Sequence, residues 1–212
     1  MVDNYNMDTI ILANGVFPQS EKLLNLLDSA EQIICCDGAV NKLVATGREP
    51  SVIIGDLDSV NPEIGEKYHD ILVKVLDQNT NDLTKAVDWC AENGVIEVVI
   101  LGATGDREDH AIGNISLLAQ YVKKISVKLF TDYGVFIPVS KTTTFEAFKG
   151  QQVSVFSLDT NLKISSVGLK YFLAEHKLTS WWMGTLNEAI GDTFTLSLSG
   201  AGDVIVYMLD EV

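Results

Sequence analysis

Two aspartates stand one residue apart where an apolar run ends, in the stretch SVIIGDLDSV at residues 51–60. Asp56 and Asp58 carry like charges that repel each other at this spacing. A divalent cation that prefers oxygen ligands would neutralise both carboxylates. An acidic turn after a buried strand would contain the same residues, because Gly and Asp are common in turns. The pair by itself is open to both interpretations.

Other polar residues also follow apolar runs. They are Asp37 after IICC, Asp77, Gln78 and Asp82 after ILVKV, and Gly102, Gly105, Arg107, Asp109 and His110 after VVIL. We expect these positions at the carboxyl ends of parallel strands, which share one rim of an open α/β sheet where ligands bind. This convergence of four loops favours a metal site that includes Asp56 and Asp58.

The segment NTNDLTKA at residues 79–86 places Asp82 and Lys85 three positions apart on a predicted helix. A functional interpretation gives Asp82 to the metal and Lys85 to a phosphate group. The alternative is an acid in a helix first turn with an ordinary surface ion pair.

LGATGDREDH at residues 101–110 is a Gly-rich loop that runs into a predicted helix. Free backbone N–H groups at such a helix start can hold a phosphate. Arg107 strengthens this interpretation, because the chain has only two arginines and the other, Arg48, lies in a plain turn. His110 is either a ligand contact or a structural hydrogen-bonding residue.

The composition narrows the classes of partner. The chain has 212 residues, 47% of them hydrophobic, and a net charge of −14. An acidic surface repels nucleic acid and anionic membranes, so we expect neither as a partner. An anionic substrate would need local cations or a metal.

The cysteines and the amino terminus indicate the compartment. Cys35, Cys36 and Cys90 provide neither a disulfide framework nor a zinc-site spacing, so buried thiols are expected. The first ten residues lack a signal-peptide pattern, and no run is long enough for a membrane helix. We therefore predict a cytoplasmic, soluble protein.

The first two thirds of the chain alternates buried-strand patterns with helix patterns, which is typical of a parallel α/β sheet. The predicted strands are 9–15, 32–38, 51–58, 71–77, 96–105 and 125–132, and the predicted helices are 19–31, 39–46, 62–69, 81–93 and 108–124. In the fourth helix, Asn81 is the expected N-cap and Gly94 the expected stop.

The remaining chain has the alternation of antiparallel strands, at residues 144–158 and in a strand pair over 193–209 joined at Gly200–Asp203. We predict an α/β domain with a parallel sheet over residues 1–139 and a small antiparallel β-sandwich over 140–212. Trp181 and Trp182 belong to the core, to an interface or to a ligand site.

Four segments together resemble a known family: CCDGAVNKL, IIGDLDSV, DQNTNDLTKAV and LGATGDREDHAIGNISLL, in this order and with similar spacings. The family is thiamine pyrophosphokinase, and ANGVFP and GLKYFL…GTLNEAIG extend the resemblance over nearly the whole chain. It implies Mg²⁺-dependent transfer of a pyrophosphoryl group from ATP to thiamine. It also implies a nucleotide-binding α/β domain, a thiamine-binding β-sandwich and a homodimer with thiamine near the subunit interface.

The resemblance also implies roles for individual residues. Asp56, Asp58 and Asp82 match the metal ligands. Asp37, Asp82, Lys85 and Arg107 match the catalytic set, and Asn114 is expected to orient the Gly-rich loop. The positions implied for ATP or substrate binding are Gln78, Thr80, Lys85, Arg107, Asp109, His110 and Asn187.

This sequence departs from the family pattern at three places. Asn81 stands before Asp82, where the family has Thr, and Thr80 comes one residue earlier. Asp106 places a negative charge beside the expected phosphate loop. Leu186 replaces the serine of a Ser-Asn-Glu segment near the thiamine site and cannot hydrogen-bond through its side chain.

Two other functions remain open from the sequence. DLDSV also fits the nucleophile motif of haloacid-dehalogenase-type phosphatases, although that motif normally follows the first strand and here follows the third. The second alternative is a non-catalytic nucleotide-binding dimer. For the transferase, phosphoryl-type chemistry requires positioning and charge neutralisation, with Asp37 or Asp82 as the general base.

Overall fold

Six strands of the first part of the chain form a parallel sheet in the computed structural model, which describes residues 8–210. The strands are β1 (Thr9–Leu12), β2 (Gln32–Cys36), β3 (Val52–Gly55), β4 (Leu72–Lys74), β5 (Glu97–Leu101) and β6 (Ser126–Thr131). They lie in the order β4-β3-β2-β1-β5-β6, and every neighbouring pair is parallel. All six strands predicted from the apolar runs are therefore confirmed.

Five helices connect these strands. They are α1 (Glu21–Ser29), α2 (Ala39–Ala45), α3 (Pro62–Lys67), α4 (Asp82–Glu92) and α5 (Glu108–Tyr121). Asn81 caps α4, because its side-chain oxygen accepts the N–H of Thr84 at 2.9 Å. Gly94 follows the same helix with φ +80°, the left-handed conformation of a C-terminal stop. Both predicted signals are confirmed.

The central strands of this sheet are buried on both faces, which accounts for their uninterrupted apolar sequence. Ile10, Ile34, Ile53 and Ile100 are all inaccessible to solvent. Each such side chain contributes about 1.5–3 kcal/mol of hydrophobic stabilisation relative to an exposed one. None of the helices within residues 8–210 has the length and apolar character needed to cross a bilayer.

The order of the strands reverses between β1 and β5. The chain adds β2, β3 and β4 successively on one side of β1, and then places β5 on the other side. In open α/β sheets, ligands bind at the carboxyl ends of the strands beside such a reversal of the strand order. The sequence places its candidate residues at this edge.

The second part of the chain contains two antiparallel sheets. Its strands are β7 (Gly134–Val139), β8 (Thr143–Glu146), β9 (Gln152–Ser157), β10 (Lys163–Val167), β11 (His176–Lys177), β12 (Asn187–Glu188), β13 (Thr193–Leu198) and β14 (Val204–Leu209). One sheet has the order β12-β9-β14-β7 and the other β11-β10-β13-β8. Val155 and Val206 of the first pack with Ile164 and Leu196 of the second in one core. The predicted β-sandwich is confirmed.

The chain divides into two compact units. The first extends to Leu117 and includes Lys123–Asp132, and the second comprises Leu118–Val122 and the chain from Tyr133. β7 precedes the predicted boundary at residue 140 but belongs to the second unit, because all six of its residues pair with β14.

The strand pair expected over residues 193–209 is not a hairpin. β13 pairs with β8 and β10, whereas β14 pairs with β7 and β9 in the other sheet. The expected strand 144–158 is likewise divided, because residues 147–151 connect β8 in one sheet to β9 in the other. Both connections cross the sandwich.

Candidate active site

Asp37, Asp56 and Asp58 form a group of carboxylates in the first unit. Each offers an oxygen, and these oxygens all lie within 4.8 Å of one another. The parallel pairing of β2 with β3 explains their proximity, since Cys36 is level with Ile54. The N–H of Asp37 continues the pairing by donating to the carbonyl of Ile54 at 2.8 Å. The acids that follow the two strands therefore lie side by side.

The backbone at this group adopts conformations that are uncommon for residues other than glycine. Asp37 has φ +45° and Leu57 has φ +69°. Such conformations carry a strain of about 1–3 kcal/mol each and concentrate at functional sites. Hydrogen bonds hold the turn, since the N–H of Asp58 donates to Asp56 Oδ1 at 3.3 Å and Ser59 Oγ donates to Asp58 Oδ1 at 3.0 Å.

The environments of the three carboxylates differ. Asp37 is only 6% exposed, and its burial raises its pKa above the ordinary value. Its Oδ1 is buried and accepts no hydrogen bond within the described part of the chain. The backbone N–H of Asp58 lowers the pKa of Asp56. Three carboxylates with an unsatisfied buried oxygen among them are a donor set that fits a hard divalent cation.

Asp82 lies next to this group but is not one of the three acids in it. Its Oδ1 accepts a hydrogen bond from Lys85 Nζ at 2.8 Å, and the Lys85 residue is only 8% exposed. Gly55 lies between Asp37 and Asp82. A Cβ on Gly55 would lie 2.9 Å from Asp37 Cβ and 3.3 Å from Asp82 Oδ1. The group thus contains Asp37 where the sequence suggested Asp82, and the role of Asp82 as a ligand stays a prediction.

The loop between β4 and α4 contributes one contact to the acids. Gln78 Nε2 lies 3.5 Å from Asp56 Oδ2, at the limit of a hydrogen bond. Thr80 Oγ1 instead donates to Asp77 Oδ2 at 2.9 Å, and the N–H of Asn79 donates to Asp77 Oδ1 at 3.0 Å. The Asn79 N–H lowers the pKa of Asp77. Thr80 therefore organises its own loop.

The Gly-rich loop after β5 is held against the segment that follows β1. The N–H of Gly15 donates to the carbonyl of Gly102 at 2.7 Å, and that of Val16 donates to Thr104 at 3.0 Å. Gly105 has φ +96°, and a Cβ there would lie 2.3 Å from Val16 Cγ2. Only glycine permits this close approach.

The charged residues of this loop pair with each other. Arg107 Nε and Nη2 donate to the two carboxylate oxygens of Asp109 at 3.1 and 2.6 Å. The guanidinium lowers the pKa of Asp109 to about 2. The exposed His110 donates its backbone N–H to Asp109 Oδ1 at 2.9 Å. Exposed ion pairs of this kind are weak, so a phosphate can compete for Arg107.

Asn114 links α5 to the loop. Its Nδ2 donates to the carbonyl of Ala103 at 2.9 Å, and its Oδ1 accepts from Asn81 Nδ2 at 3.1 Å. These contacts agree with the orienting role that the family resemblance implied. They also give Asn81, which replaces the family threonine, a contact to α5 beside its capping of α4.

Sequence reasoning missed Lys42. Its Nζ donates to the carbonyl oxygens of Asn14 and Gly15 at 3.0 and 2.7 Å, and lies 3.6 Å from Asp106 Oδ2. Lys42 lies in α2, five residues after Asp37 and within the CCDGAVNKL segment that carries the family resemblance, and this position is the sequence signal that could have identified it.

The second unit contains a cavity of about 380 Å³. It is lined by Val155, Tyr171, Phe172, Leu173, His176, Leu178, Trp182, Met183, Gly184, Thr185, Leu186 and Asn187. Its size and mixed lining are typical of a small-molecule site. Trp182 lines it, whereas Trp181 packs edge-on against Phe156 with ring centroids 5.8 Å apart.

Leu186 and Asn187 lie side by side in this lining but behave differently. Asn187 is buried, and its amide donates to the carbonyl of Tyr171 at 2.7 Å and accepts from the N–H of Tyr171 at 3.0 Å. Leu186 is 73% exposed and has φ +59°, which is a rare conformation for a bulky side chain. The amide of Asn187 therefore supports the wall of the cavity, while Leu186 presents an apolar side chain.

Comparisons with known proteins agree with both units. A model described as thiamin pyrophosphokinase, catalytic domain, matches residues 23–130, and one described as thiamin pyrophosphokinase, substrate-binding domain, matches residues 134–207. Two relatives from Oryza sativa subsp. japonica, thiamine pyrophosphokinases 1 and 3, are 30% identical over 162 residues and 33% identical over 137 residues. These alignments cover 65% and 53% of this chain but only 60% and 51% of the relatives.

A solved structure gives the same assignment. The crystal structure of thiamine pyrophosphokinase from Bacillus subtilis superimposes with a TM-score of 0.77 at 25% identity. The match covers 96% of this chain and 100% of that one. With a catalytic-domain match on the first unit and a substrate-binding-domain match on the second, the chain belongs to the thiamin pyrophosphokinase family.

Proposed function

We propose that this protein transfers the pyrophosphoryl group of ATP to the hydroxyl group of thiamine, which yields thiamine diphosphate and AMP. The observation that carries the proposal is the group formed by Asp37, Asp56 and Asp58, with its unsatisfied buried oxygen. It lies in the unit that matches a catalytic domain of this family. Family membership supplies the two substrates.

Asp37, Asp56 and Asp58 would hold Mg²⁺, with Asp82 as a neighbouring acid. Bound Mg²⁺ would neutralise triphosphate charge and polarise phosphoryl oxygens. The protein must attract ATP despite a net charge of −14, so local charge compensation is essential. Carboxylates that were not neutralised would repel the triphosphate.

The cations of the first unit perform the remaining electrostatic work in this proposal. Lys85 is buried beside Asp82 and would stabilise charge on the transferred group. Arg107 would exchange its exposed partner Asp109 for a phosphate of the leaving AMP. Gln78, Thr80 and His110 are proposed as further ATP contacts.

Two carboxylates are proposed as alternatives to receive the proton of the thiamine hydroxyl, Asp82 and Asp37. Asp37 would serve as the base only in place of its role as a Mg²⁺ ligand, because a metal-bound carboxylate is a weak base. Asp37 Oδ1 has no hydrogen-bond donor within residues 8–210, whereas Asp82 Oδ1 accepts from Lys85. The variants Asp37→Asn and Asp82→Asn distinguish them. Loss of the acidic limb of the pH–rate profile identifies the base, provided that Mg²⁺ binding persists in that variant.

The cavity of the second unit is proposed to bind thiamine. Thiamine contains two aromatic rings, one of them cationic, and the faces of Tyr171, Phe172 and Trp182 are suited to such a ligand. The negative charge of the protein also attracts a cation. Asn187 shapes the cavity through its bonds to Tyr171.

A homodimer in the cytoplasm completes the proposal. Tyr171, Phe172, Trp182, Leu186 and Ile190 are large apolar side chains exposed on the second unit. Monomeric proteins rarely leave such surface uncovered. Sedimentation equilibrium tests the assembly, and a purely monomeric protein at assay concentration would contradict it.

One incubation tests the reaction. The protein is mixed with ATP, Mg²⁺ and thiamine, and AMP and thiamine diphosphate are separated by chromatography. We expect both products together, and neither when thiamine or Mg²⁺ is omitted. Asp58→Ala should abolish turnover with the fold intact, whereas Asp70→Ala, at an exposed acid of the same unit, should not.

Two outcomes would overturn the proposal. Phosphate release without thiamine, together with a phospho-aspartate, would identify a phosphatase. Tight binding of Mg-ATP without turnover on thiamine or other hydroxyl acceptors would identify a non-catalytic nucleotide-binding protein. Wild-type turnover in Asp58→Ala would remove that aspartate from the mechanism.

A further inference from the structure

Lys42 joins three parts of the first unit. It lies in α2, and its ammonium group donates to the carbonyl oxygens of Asn14 and Gly15 at 3.0 and 2.7 Å. The same nitrogen lies 3.6 Å from Asp106 Oδ2. One cation thus connects α2, the segment after β1 and the Gly-rich loop after β5.

The two segments that Lys42 contacts depend on each other. The N–H of Gly15 donates to Gly102, and the N–H of Val16 donates to Thr104. Lys42 Nζ binds the carbonyl oxygens of the Asn14–Gly15 segment, whereas the N–H groups of Gly15 and Val16 bind the Gly-rich loop. The position of the Lys42 side chain is therefore transmitted to the loop through two backbone hydrogen bonds.

Asp106 gives this contact an electrostatic consequence. It places an exposed carboxylate in the loop that would face an anionic ligand, and it would repel a triphosphate. Two ion pairs involve this loop in the described part of the chain. Lys42 lies beside Asp106, and Arg107 pairs with Asp109. With Lys42 in place, the Asp106 charge is offset.

We propose that Lys42 is a positioning residue for ATP, which fixes the Asn14–Gly15 segment and offsets the charge of Asp106 so that the Gly-rich loop can receive a polyphosphate. The ligand identity rests on the proposed function. The positioning role rests on the contacts of Lys42. Lys42 acts through the loop and is not itself a catalytic residue.

A purely structural role predicts different results. A lysine that only stabilises the fold would, when removed, lower the melting temperature and affect both substrates equally. A positioning residue for the polyphosphate changes the KM for ATP and leaves the KM for thiamine unaltered. If Lys42 is a positioning residue, removing the negative charge of Asp106 should also restore part of the ATP affinity that is lost with Lys42.

The experiment compares the full-length wild type with Lys42→Met, Asp106→Asn and the double variant. Mg-ATP binding is measured by titration calorimetry, and both KM values and kcat are measured by AMP release. We expect Lys42→Met to weaken Mg-ATP binding about tenfold, the effect of losing a charge-assisted hydrogen bond. The KM for thiamine should change less than about twofold.

The double variant should recover about threefold of the lost Mg-ATP affinity, as expected for one exposed charge pair. Asp106→Asn alone should change the affinity by less than about twofold, because Lys42 already offsets the charge. Lys42→Arg retains a cation and should keep the affinity within about threefold of wild type. Lys42→Gln replaces Lys42→Met if the latter melts below the assay temperature.

Lys124 and Asp88 provide a matched control, because they form another lysine–aspartate pair in the first unit. Lys124→Met, Asp88→Asn and their combination should leave both KM values unaltered. Unchanged Mg-ATP affinity in Lys42→Met, equal changes in both KM values, or no recovery in the double variant would each overturn the positioning role. A wild type that binds Mg-ATP but forms no thiamine diphosphate would refute the proposed reaction alone, since calorimetry still tests Lys42.

Discussion

Gly55→Ala is expected to move the acidic side chains of the candidate site apart, although none of the acidic residues is itself substituted. Gly55 ends β3 and lies between Asp37 and Asp82. The added methyl carbon would lie 2.9 Å from Asp37 Cβ and 3.3 Å from Asp82 Cγ. Non-bonded carbon atoms prefer separations of about 3.5 Å or more, and Gly55 has φ +157°, which disfavours any side chain, so Asp37 or the backbone at Gly55 must shift by roughly 0.6 Å.

The magnitude follows from that displacement. Overpacking of this kind destabilises a protein by about 2 kcal/mol, which lowers the melting temperature of a chain of this size by about 4–8 °C. A misplacement of about 1 Å in an active site reduces turnover about 100-fold, so roughly 0.6 Å should reduce it about tenfold. The Mg²⁺ concentration for half-maximal activity should rise, because the Asp37 carboxylate would lie farther from those of Asp56 and Asp58.

The assay is a Mg²⁺ titration of AMP release, with thermal melts of the same proteins. Gly65→Ala in α3 is the control, because a Cβ there has Val60 Cγ1 at 3.7 Å as its nearest neighbour. It should stabilise the helix by about 0.5–1 kcal/mol and leave turnover unchanged. A Gly55→Ala protein with wild-type Mg²⁺ dependence would show that the separation of these acids does not govern the reaction.

Three further predictions concern single side chains. Leu186→Asn should relieve about 1 kcal/mol of left-handed backbone strain and raise the melting temperature by about 2–4 °C, while the KM for thiamine increases; a lower melting temperature would contradict this. Lys85→Met should destabilise the fold by about 2 kcal/mol in urea titrations, because Asp82 loses its buried partner; an unchanged midpoint would contradict it. Burial raises the folded-state pKa of Asp37, so this group favours folding below its ordinary pKa of 3.8 and loses that contribution as pH rises through the raised value. Asp37→Asn should therefore be more stable than wild type at about pH 7, with a smaller slope of unfolding free energy between about pH 4 and pH 7.

The first unit could be predicted because its signals are local. Continuous apolar runs identified the strands, and Asn81 and Gly94 marked the ends of α4. The carboxyl-end rule also brought Asp37, Asp56 and Asp58 to one edge of the sheet. This rule does not indicate which of the acids lie closest together, since the distance from Asp82 to the other three depends on where α4 packs.

The rest depended on long-range contacts. β13 (TFTLSL) and β14 (VIVYML) are separated only by residues 199–203, which is typical of a hairpin, so the sequence does not indicate that they belong to different sheets. Lys42 was missed because a long flexible side chain can reach loops that are distant in sequence. The pairing of Arg107 with Asp109 was also not anticipated, because both were expected to contact ATP.

The pairing of β1 with β5 has a consequence for how the protein is made. Leu12 becomes level with Leu101 only after three intervening strands have been added on the other side of β1. On the ribosome, a nascent chain that has released β3 and the loop after it contains Asp37, Asp56 and Asp58, but the Gly-rich loop is still missing. The growing polypeptide therefore cannot complete the proposed nucleotide site until β5 emerges, and we expect added nucleotide to protect nascent chains from proteolysis only beyond that length.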